Sequence, residues 1–486
     1  MSLEEIRQVR LKKLKLLLEA GFNPYPTETD FDYSLDEVCK NFAKLKTKRK
    51  INLVGRVMSL RPQGAIIFLN FNDGSGPFQA MLKKGEIEEK KFDLFSRTVD
   101  IGDFVLLTGN LFLTKRKEKT LLIKSWRMLA KSIRPLPEKW HGLQDVEERF
   151  RKRYLDSLMD PEVKERFVLR GQAISALREI LDKAGFLEVE TPALQPLPGG
   201  ASALPFVTHH NALDVDLYLR ISDELYLKRM LVGSFPKVYE ICKDFRNEGI
   251  DWSHNPEFTM LEFYESFSTA SKQRDFVEKI FKTLVKKLKK TTKLVWQDKE
   301  IDFSKKFTVI SYLDLLKKHT LIDDILNISK NELRLKAEQL NVQVAPGDSF
   351  QTILDNIYKK SCRPKIIQPT FVIDYPADQL PLAKRKENNQ NIVDAFQLII
   401  GGVELVKAFS ELNDPIDQRE RFMTQEKVRQ EGEKEAQRLD EEFLEALEYG
   451  MPPAGGVGIG IDRLVMLLTN THNIREVIFF PTLRSK

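Results

Sequence analysis

The first part of the chain alternates between hydrophobic and polar positions in short runs. Between residues 51 and 130 these runs read "INLVGRVMSL", "AIIFLNFND", "PFQAMLK", "DFVLLTGNLFLT" and "LLIKSW", separated by glycine or charged turns. Alternation with a period of two predicts strands that bury one face. Five such strands in so short a segment predict a small barrel of the OB-fold type.

The rest of the chain mixes helical and strand patterns in blocks. A long amphipathic helix is predicted from Pro161, with Asp160 as its N-cap, to Gly185. Strand patterns follow, and then a lysine-rich, mostly helical stretch. Strands return as "PTFVIDY" and "AFQLIIGGVELVKAF", the second of which turns at Gly401-Gly402. This order predicts an α+β domain on an antiparallel sheet flanked by helices, rather than a doubly wound sheet.

We therefore expect two domains joined by a linker. Residues 1–135 would hold an N-terminal helix and the OB-fold barrel, and residues 136–146 the linker. Residues 147–486 would form the α+β catalytic domain, with a helical insertion at about 315–363. A chain of 486 residues is too long for a single core, which agrees with this division.

Composition limits the kinds of partner and cellular compartment that we expect for the protein. Residues 1–150 hold 28 Lys and Arg against 20 Asp and Glu, an excess that suits either a polyanionic partner or a solvated surface. The three cysteines, Cys39, Cys242 and Cys362, form no C-x-x-C pair. We found no signal-peptide pattern and no apolar run of about 18 residues. We therefore expect a cytoplasmic protein without a membrane span.

The stretch "FRNEGIDWSHNPEFTMLEFYE", residues 245–265, places charges in strand-like sequence. If its two strands pair as a hairpin, Arg246, Glu262 and Tyr264 share one surface. Unpaired charges on a buried face are destabilising, so these side chains either pair with each other or bind a charged ligand. Arg246 offers a bidentate fork to phosphate or carboxylate, and Phe258 offers a ring on which a base can stack.

Three further features carry candidate chemistry. His254 and Asn255 lie in the loop of this stretch and can donate to phosphate and base. Arg463 follows the glycine-rich "GGVGIGID", where the backbone can approach a nucleotide closely or the glycines can simply pack. Neither G-x-G-x-x-G nor a P-loop occurs. Glu404 and Glu411 are typical either of ligands for Mg²⁺ near a phosphate or of a solvated strand edge.

Together these segments resemble the class II lysyl-tRNA synthetases of the bacterial type. "FRNEG…HNPEFTMLEFY" is similar to motif 2 of that family, "GIGIDRL" to motif 3, and "FLEVETPALQ", with Pro192, to motif 1. "KWHGLQDVEERFRKRYLD", "PGGASALPFVTHHNALD" and "FSELNDPIDQRERF" are similar as well. The resemblance implies an antiparallel sheet of six to seven strands, a homodimer formed through motif 1, and an OB-fold that binds the tRNA anticodon.

The resemblance also implies an activity: L-lysine and ATP form lysyl-adenylate, and the lysine passes to the 3′ end of tRNA(Lys). Arg246 and Arg463 would be the catalytic residues, through positioning and charge neutralisation and without a protein nucleophile. The implied ATP-binding residues are Glu248, His254, Asn255, Phe258 and Arg463. The implied lysine-binding residues are Gly200, Ala201, Glu224, Arg246, Glu262, Tyr264, Lys407, Phe409 and Glu411.

The implied Mg²⁺ site departs from the family pattern. Glu404 would hold the ion, with Glu411 as a further candidate ligand. Gln397 stands where the family has a second Mg²⁺-binding glutamate, and Lys407 where it has an asparagine that contacts the substrate carboxylate. The Lys407 ammonium would either replace part of the charge of a metal ion or bind that carboxylate, while Gln397 keeps a weak metal contact. The first alternative needs a bulge between Glu404 and Lys407, because simple alternation puts them on opposite faces.

In the barrel the resemblance implies anticodon contacts from Arg56, Arg61, Phe68 and Gln79. Base stacking on Phe68 would be typical of single-stranded RNA recognition. The alternative is that Phe68 is simply part of the barrel core. Ala65 stands where the family commonly has lysine, and Glu118 is offset from the position of the anticodon-reading glutamate.

Competing functions are less well supported by the residues. An aspartyl or asparaginyl enzyme would need cations where Glu262 and Glu411 stand. Relatives that lysylate proteins lack the N-terminal barrel. A catalytically silent RNA-binding homologue is disfavoured because the key charged residues are retained, namely Arg246, Glu248, Glu404 and Arg463.

Overall fold

The computed structural model describes residues 2–48, 50–137, 143–320, 322, 325, 328–345, 347–430 and 435–484. The chain divides into two compact units, Met1–Leu143 and Gln144–Lys486. Residues 138–142 of the expected linker lie outside the described residues, so the bounds of the linker stay a prediction. Within the described part of the chain, no helix is long and apolar enough to cross a membrane.

The first unit is a five-stranded barrel with short helices. Its helices are α1 Leu3–Glu19, α2 Leu35–Lys40, α3 Phe42–Leu45 and α4 Glu89–Thr98, and its strands are β1 Ile51–Gln63, β2 Ile66–Asn72, β3 Pro77–Lys83, β4 Phe104–Leu113 and β5 Lys119–Ala130. The barrel closes in the order β1-β2-β3-β5-β4, with β3 and β5 parallel. Alternate residues such as Leu53, Val57 and Leu69 are fully buried, as the period of two predicted.

The second unit contains eleven described helices and fourteen described strands. Its helices are α5 Val146–Arg151, α6 Arg153–Met159, α7 Pro161–Lys183, α8 Glu224–Val232, α9 Ala270–Lys289, α10 Tyr312–Thr320, α11 Lys330–Gln339, α12 Phe350–Ile357, α13 Pro415–Gln430, α14 Glu441–Glu448 and α15 Ile461–Thr469. Its strands are β6 Leu187–Glu188, β7 Leu194–Gln195, β8 Val207–His210, β9 Val215–Leu219, β10 Lys237–Phe245, β11 Glu257–Ser266, β12 Lys293–Trp296, β13 Lys299–Asp302, β14 Thr308–Ser311, β15 Thr370–Pro376, β16 Arg385–Lys386, β17 Asn389–Ile400, β18 Val403–Ser410 and β19 Ala454–Gly460.

Helix α7 shows how local sequence sets an element. The Asp160 side chain accepts a hydrogen bond from the Glu162 amide at 2.9 Å, and Pro161 occupies the first turn, where no amide proton is needed. The chain leaves the helix at Gly185, whose φ of +83° suits glycine. The predicted helix is therefore confirmed at both ends.

The central sheet of the second unit has nine strands in the order β14-β15-β17-β18-β19-β11-β10-β6, with β16 beside β17. Six strands, β15 to β10 in that order, pair antiparallel, whereas the outer pairs β14/β15 and β10/β6 are parallel. Together with β16, which pairs antiparallel with β17, the antiparallel part has seven strands, as the resemblance implied, and β14 and β6 are added at its edges. The added strands are short edge segments with no clear alternation to reveal them.

The two faces of the sheet carry different helices. Leu261, Phe263 and Ile459 point to a core shared with α7, α9 and α15. The other face packs against residues of α8, α10–α12 and α14. Helices α10–α12 lie in the expected insertion, and they pack on the face that carries the charged side chains described next.

Candidate functional site

A row of side chains from neighbouring strands crosses the second face of the sheet. Pairing puts Gln397 opposite Lys407 and Lys407 opposite Gly458. It also puts Gly458 opposite Glu262 and Glu262 opposite Glu240. The motif 2 hairpin and the Gly401-Gly402 hairpin, separated by more than a hundred residues, therefore contribute to one surface.

Beside this row, Tyr264, Gly456 and Phe409 are cross-strand neighbours. A Cβ on Gly456 would lie 2.0 Å from Glu411 Oε1 and 2.4 Å from Tyr264 Cε1. The missing side chain thus lets a carboxylate and an aromatic ring lie directly over the strand. The glycine at this position serves the site and not only the packing of the sheet.

Two expected lysine-binding carboxylates share an internal cation. Lys228 Nζ lies 2.6 Å from Glu224 Oε1 and also contacts Glu411 Oε2. Lys228 has no exposed surface, and although burial lowers its pKa, the two carboxylates raise that pKa above its usual value. Glu411 Oε1 is buried and has no hydrogen-bond partner, so it remains available to a ligand.

In the described part of the chain, Glu262 accepts its hydrogen bonds from neutral donors. Tyr264 Oη donates to Glu262 Oε2 at 2.7 Å, and Ser222 Oγ donates to Glu262 Oε1 at 3.2 Å. Burial, together with the charges of Glu224 and Asp244, raises the pKa of Glu262 to about 8. A buried carboxyl group with no cation of its own is suited to receive a positively charged ligand group.

The loop after β7 approaches these carboxylates closely. Gly200 has a φ of +85°, and a Cβ there would lie 2.9 Å from Ser222 Oγ. Ala201 lines a neighbouring cavity of about 330 Å³ together with Ile221 and Arg438. The Gly200 backbone therefore lies beside Ser222 and Glu224, and the expected contact of Gly200–Ala201 with a bound amine stays a prediction.

Arg246 lies at the end of the motif 2 strand. Its Nε and Nη2 donate to the Ile221 carbonyl at 3.3 Å, and its guanidinium stands 5.0 Å from the Phe258 ring centre. Phe258 was expected to stack on a base, and in this structure Arg246 lies over its ring. The half-buried Glu248 follows in the loop.

His254 and Arg463 meet at the far end of the site. Asp251 lies 2.8 Å from His254 Nδ1, and Arg463 Nη2 lies 3.1 Å from His254 Nε2. Since arginine can only donate, Nε2 accepts and Nδ1 carries the proton toward Asp251. Arg463 Nη1 also donates to the Glu404 carbonyl at 3.2 Å, so Arg463 borders both His254 and Glu404.

Asn255 faces the interior more than a ligand. Its side chain is buried, and its Nδ2 donates to the Glu257 carbonyl at 2.7 Å. Its Oδ1 has no hydrogen-bond partner. Asn255 Nδ2 therefore holds the turn into β11, and its Oδ1 is the atom available for a ligand contact.

Glu404 fits a magnesium ion held mainly by phosphates. Burial raises the pKa of Glu404, but Arg463, Arg363 and Lys407 together hold it below its usual value, so the group is ionised. Arg363 Nη1 lies 3.8 Å from Glu404 Oε2. Mg²⁺ commonly binds one or two carboxylates together with the phosphates of a nucleotide, which a single ionised carboxylate here allows.

The side-chain oxygen of Gln397 already accepts two hydrogen bonds. Its Oε1 accepts hydrogen bonds from the hydroxyls of Tyr375 at 2.8 Å and Tyr358 at 3.2 Å. Because an amide oxygen has two lone pairs, these donors leave none for a metal ion in this arrangement. Tyr358 belongs to the π-helical turn Tyr358–Cys362 after α12, so the helical insertion contributes a residue that touches the site.

The bulge required between Glu404 and Lys407 is present. The pairing of β17 with β18 shifts between Leu398 opposite Val406 and Ile399 opposite Glu404, which leaves Leu405 without a partner. One extra residue reverses the alternation, so Glu404 and Lys407 lie on the same face. Alternation along the strand therefore no longer argues against a role of Lys407 beside Glu404.

Sequence reasoning missed several groups that shape the site, in particular Lys228, Asp223, Asp244 and Arg363. The spacing of four between Glu224 and Lys228 in "ELYLKR" predicts an ion pair on a helix and could have identified one of them. Asp223 and Asp244 carry no such signal, because they meet only through the folded sheet.

The expected anticodon residues share the outer surface of the barrel. Arg61 pairs with Phe68, and Gln79 donates from Nε2 to Thr120 Oγ1 at 2.7 Å. Phe68 is half-exposed between the buried Ile67 and Leu69, so it is not part of the barrel core. Arg56 lies farther along, with its guanidinium 4.4 Å from the centre of an aromatic ring.

Two families match this chain. The family described as "tRNA synthetases class II (D, K and N)" matches residues 145–484. The one described as "OB-fold nucleic acid binding domain" matches residues 51–129, which agrees with the expected barrel.

Curated relatives extend the match to full length. A protein of Pelotomaculum thermopropionicum named "Lysine--tRNA ligase" is 46% identical over 100% of this chain and 96% of its own length. Proteins of the same name are 46% identical in Carboxydothermus hydrogenoformans, over 100% of this chain and 99% of that protein, and 46% identical in Aquifex aeolicus, over 98% and 78% respectively. The chain therefore belongs to the class II tRNA synthetases of the D, K and N family.

Proposed function

We propose that this enzyme is a lysine–tRNA ligase, which activates L-lysine with ATP to lysyl-adenylate and transfers the lysine to the 3′ end of tRNA(Lys). The observation that carries the proposal is the pocket between β11 and β18. There Glu262 has no cation of its own, and Glu411 Oε1 has no hydrogen-bond partner. The names of the full-length relatives support the same substrate.

Selectivity follows from charge. An ε-ammonium group would satisfy Glu262, Tyr264 and Glu411, and Glu224 with the Gly200–Ala201 backbone would receive the α-amine. Phe409, opposite Gly456, would flank the alkyl chain. Aspartate would bring a carboxylate against buried carboxyl groups, and asparagine would leave them without a cation.

Catalysis would depend on positioning. Arg246 reaches the end of the pocket from the motif 2 strand, where it would bridge the lysine carboxylate and the α-phosphate and so stabilise the charge of the transition state. Its guanidinium would have to leave the Phe258 ring, making room for adenine between Phe258 and Arg463. His254, Glu248 and the free Asn255 oxygen would contact the nucleotide.

Mg²⁺ would supply charge neutralisation for the ATP phosphates. Glu404 would hold it, and Gln397 would not in the arrangement described, because two tyrosine hydroxyls occupy its oxygen. Glu411 is better placed as a lysine ligand than as a metal ligand, since Lys228 already contacts it. Lys407, opposite Gln397, would face the phosphates or the lysine carboxylate.

The barrel would read the anticodon. Phe68 would stack on a base, with Arg61, Gln79 and Arg56 around it. We assign residues 1–135 to this role, 136–146 to the linker and 147–486 to catalysis. Phe68→Ala is expected to weaken tRNA binding by about 1–3 kcal/mol while ATP–pyrophosphate exchange is unchanged. A loss of exchange, or unchanged tRNA affinity, would contradict this assignment.

We further propose a homodimer in the cytoplasm. Pro192 lies in an exposed segment between Leu187 and Leu194, which are 50% and 46% exposed, and Val168 on α7 is 49% exposed. Apolar side chains of this kind suit a subunit interface. Sedimentation should give twice the chain mass of 56.3 kDa.

The proposed function is tested by charging tRNA. Purified enzyme with ATP, Mg²⁺ and labelled lysine should aminoacylate tRNA that carries a lysine anticodon, and Arg246→Ala should abolish this. Charging with aspartate or asparagine, or no charging with lysine, would refute the proposal.

A further inference from the structure

A second group of carboxyls lies behind Glu262. Ligand oxygens of Asp223, Asp244 and Glu262 all lie within 4.8 Å of one another. The three residues come from the residue before α8, from β10 and from β11, and they are 0%, 0% and 6% exposed. Three separate elements therefore direct acidic side chains to one buried point.

Two members of this triad are unsatisfied. Both Asp223 oxygens and Asp244 Oδ2 are buried without a hydrogen-bond partner. Asp223 precedes α8 but its side chain makes no capping bond. By contrast, the adjacent Glu240 is fully used: it accepts from Arg220 at 2.7 Å and from Thr191 Oγ1 at 2.7 Å.

The charges around the triad do not balance. Eight charged or titratable groups of the described residues face it. They are Arg220 before α8, Glu224 and Lys228 on α8, Glu240 and Cys242 on β10, Arg246 after β10, Tyr264 on β11 and Glu411 after β18. With the triad this makes six carboxyl groups and three cations. Arg220 is paired with Glu240, and its Nε also lies 3.7 Å from Asp244 Oδ1. Lys228 is paired with Glu224 and Glu411. Among these described groups Asp223 and Glu262 therefore have no ion pair, and Arg246 is needed at the substrate.

Protonation neutralises the carboxyl groups of such a triad until a cation binds. Burial and the charges of Glu224 and Asp244 raise the pKa of Glu262 to about 8, against the effects of Tyr264 and Asp223. Burial and the charges of Glu262, Asp244 and Glu240 raise the pKa of Asp223 well above its usual value. Burial raises the pKa of Asp244 to about 6 against the opposing charges of Arg246 and Arg220. A proton shared between Asp223 and Glu262 would also give Asp223 the hydrogen bond that it lacks as a carboxylate.

We propose that the crowded carboxyl groups of Asp223, Asp244 and Glu262 share a proton in the free enzyme, so that the ε-ammonium group of lysine binds at Glu262 in exchange for that proton. This inference rests on the proposed lysine substrate. In the step, the triad loses one proton to solvent, the ammonium keeps all three of its protons, and the new ion pair leaves the net charge of the pocket unchanged. Asp223 and Asp244 act through Glu262 and are positioning residues.

The exchange contributes to specificity. A neutral side chain of similar length, such as that of norleucine, cannot replace the proton and would leave the carboxyl group protonated. A cationic side chain that is too short would leave the ionised Glu262 buried without a partner. Norleucine therefore fails the condition of charge, and a shorter cation fails the condition of length.

The test is calorimetric titration of the full-length enzyme with lysine at pH 7, in buffers of different ionisation enthalpy. The wild-type enzyme should release about one proton per lysine, and its affinity should rise about tenfold between pH 6 and pH 7. Asp223→Asn and Asp244→Asn, which preserve side-chain shape, should each reduce proton release and flatten the pH profile. The exposed Asp275→Asn on α9 is the matched control and should behave as the wild type.

The outcomes are distinguishable. Lysine binding without proton release, or equal release in both triad variants, overturns this inference and leaves the proposed function intact. Proton release by Mg²⁺ alone, with none on later addition of lysine, assigns the triad to a metal and also overturns it. Absence of lysine binding overturns the proposed function together with this inference.

Discussion

Replacing Lys228 with methionine should destabilise the enzyme strongly. The substitution keeps the length of the side chain but removes a cation with no exposed surface, which lies 2.6 Å from Glu224 Oε1 and contacts Glu411 Oε2. Two buried carboxylates then lose the cation with which they pair among the described residues. Removing one partner of a buried pair costs about 3–5 kcal/mol, and we expect this magnitude at pH 8.

The pH dependence of this loss is part of the prediction. At pH 6 an orphaned carboxyl group can take up a proton, so the loss should be smaller than at pH 8. The assay is the midpoint of urea unfolding of the unliganded protein at both values. The double variant Lys228→Met/Glu411→Gln should recover part of the stability, because it removes the unpaired charge as well.

Two results would refute this reasoning. An unfolding midpoint at pH 8 equal to that of the wild type would mean that Lys228 does not neutralise the pocket. A double variant less stable than Lys228→Met would mean that Glu411 is stabilised by some group other than Lys228.

Three further predictions concern the same surface. Glu411→Gln should weaken lysine binding by about 2–4 kcal/mol and ATP binding far less; equal losses would point to a folding or metal defect. Gln397→Glu/Lys407→Asn should require more Mg²⁺ ions for pyrophosphate exchange, since it removes a nearby ammonium and supplies a free carboxylate; an unchanged Mg²⁺ titration would refute the idea that Lys407 substitutes for metal charge. Because the pKa of Glu262 is raised to about 8, the folded protein holds a proton that the unfolded chain releases, and this contribution to stability is lost as pH rises from about 5 to 8. In thermal unfolding, the stability of Glu262→Gln relative to the wild type should therefore increase with pH. A difference in stability that stays the same at all pH values would contradict this.

The barrel and the strand-like motif segments could be predicted because their patterns are local. Alternation in β1 to β5 encodes which face is buried, and Asp160 with Gly185 marks the ends of α7. The motif residues were found from the sequence because charges such as Arg246 interrupt strand patterns. These signals depend only on near neighbours along the chain.

What could not be predicted depends on pairing between distant strands. The sequence showed that one alternative needs a bulge between Glu404 and Lys407, but the bulge at Leu405 and the face on which Lys407 lies appear only in the register of β17 against β18. Asp223 meets Asp244 and Glu262 only because α8 begins beside the sheet. The hydrogen bond from Tyr358 to Gln397 likewise depends on how the insertion folds back.

The most direct test of the central claim is ATP–pyrophosphate exchange with the twenty common amino acids, supplied one at a time. Exchange requires only activation, so it reports the pocket independently of the barrel. If Glu262 and Glu411 bind the ε-ammonium group, lysine should support exchange and aspartate and asparagine should not. Exchange with aspartate or asparagine, or none with lysine, would contradict the account.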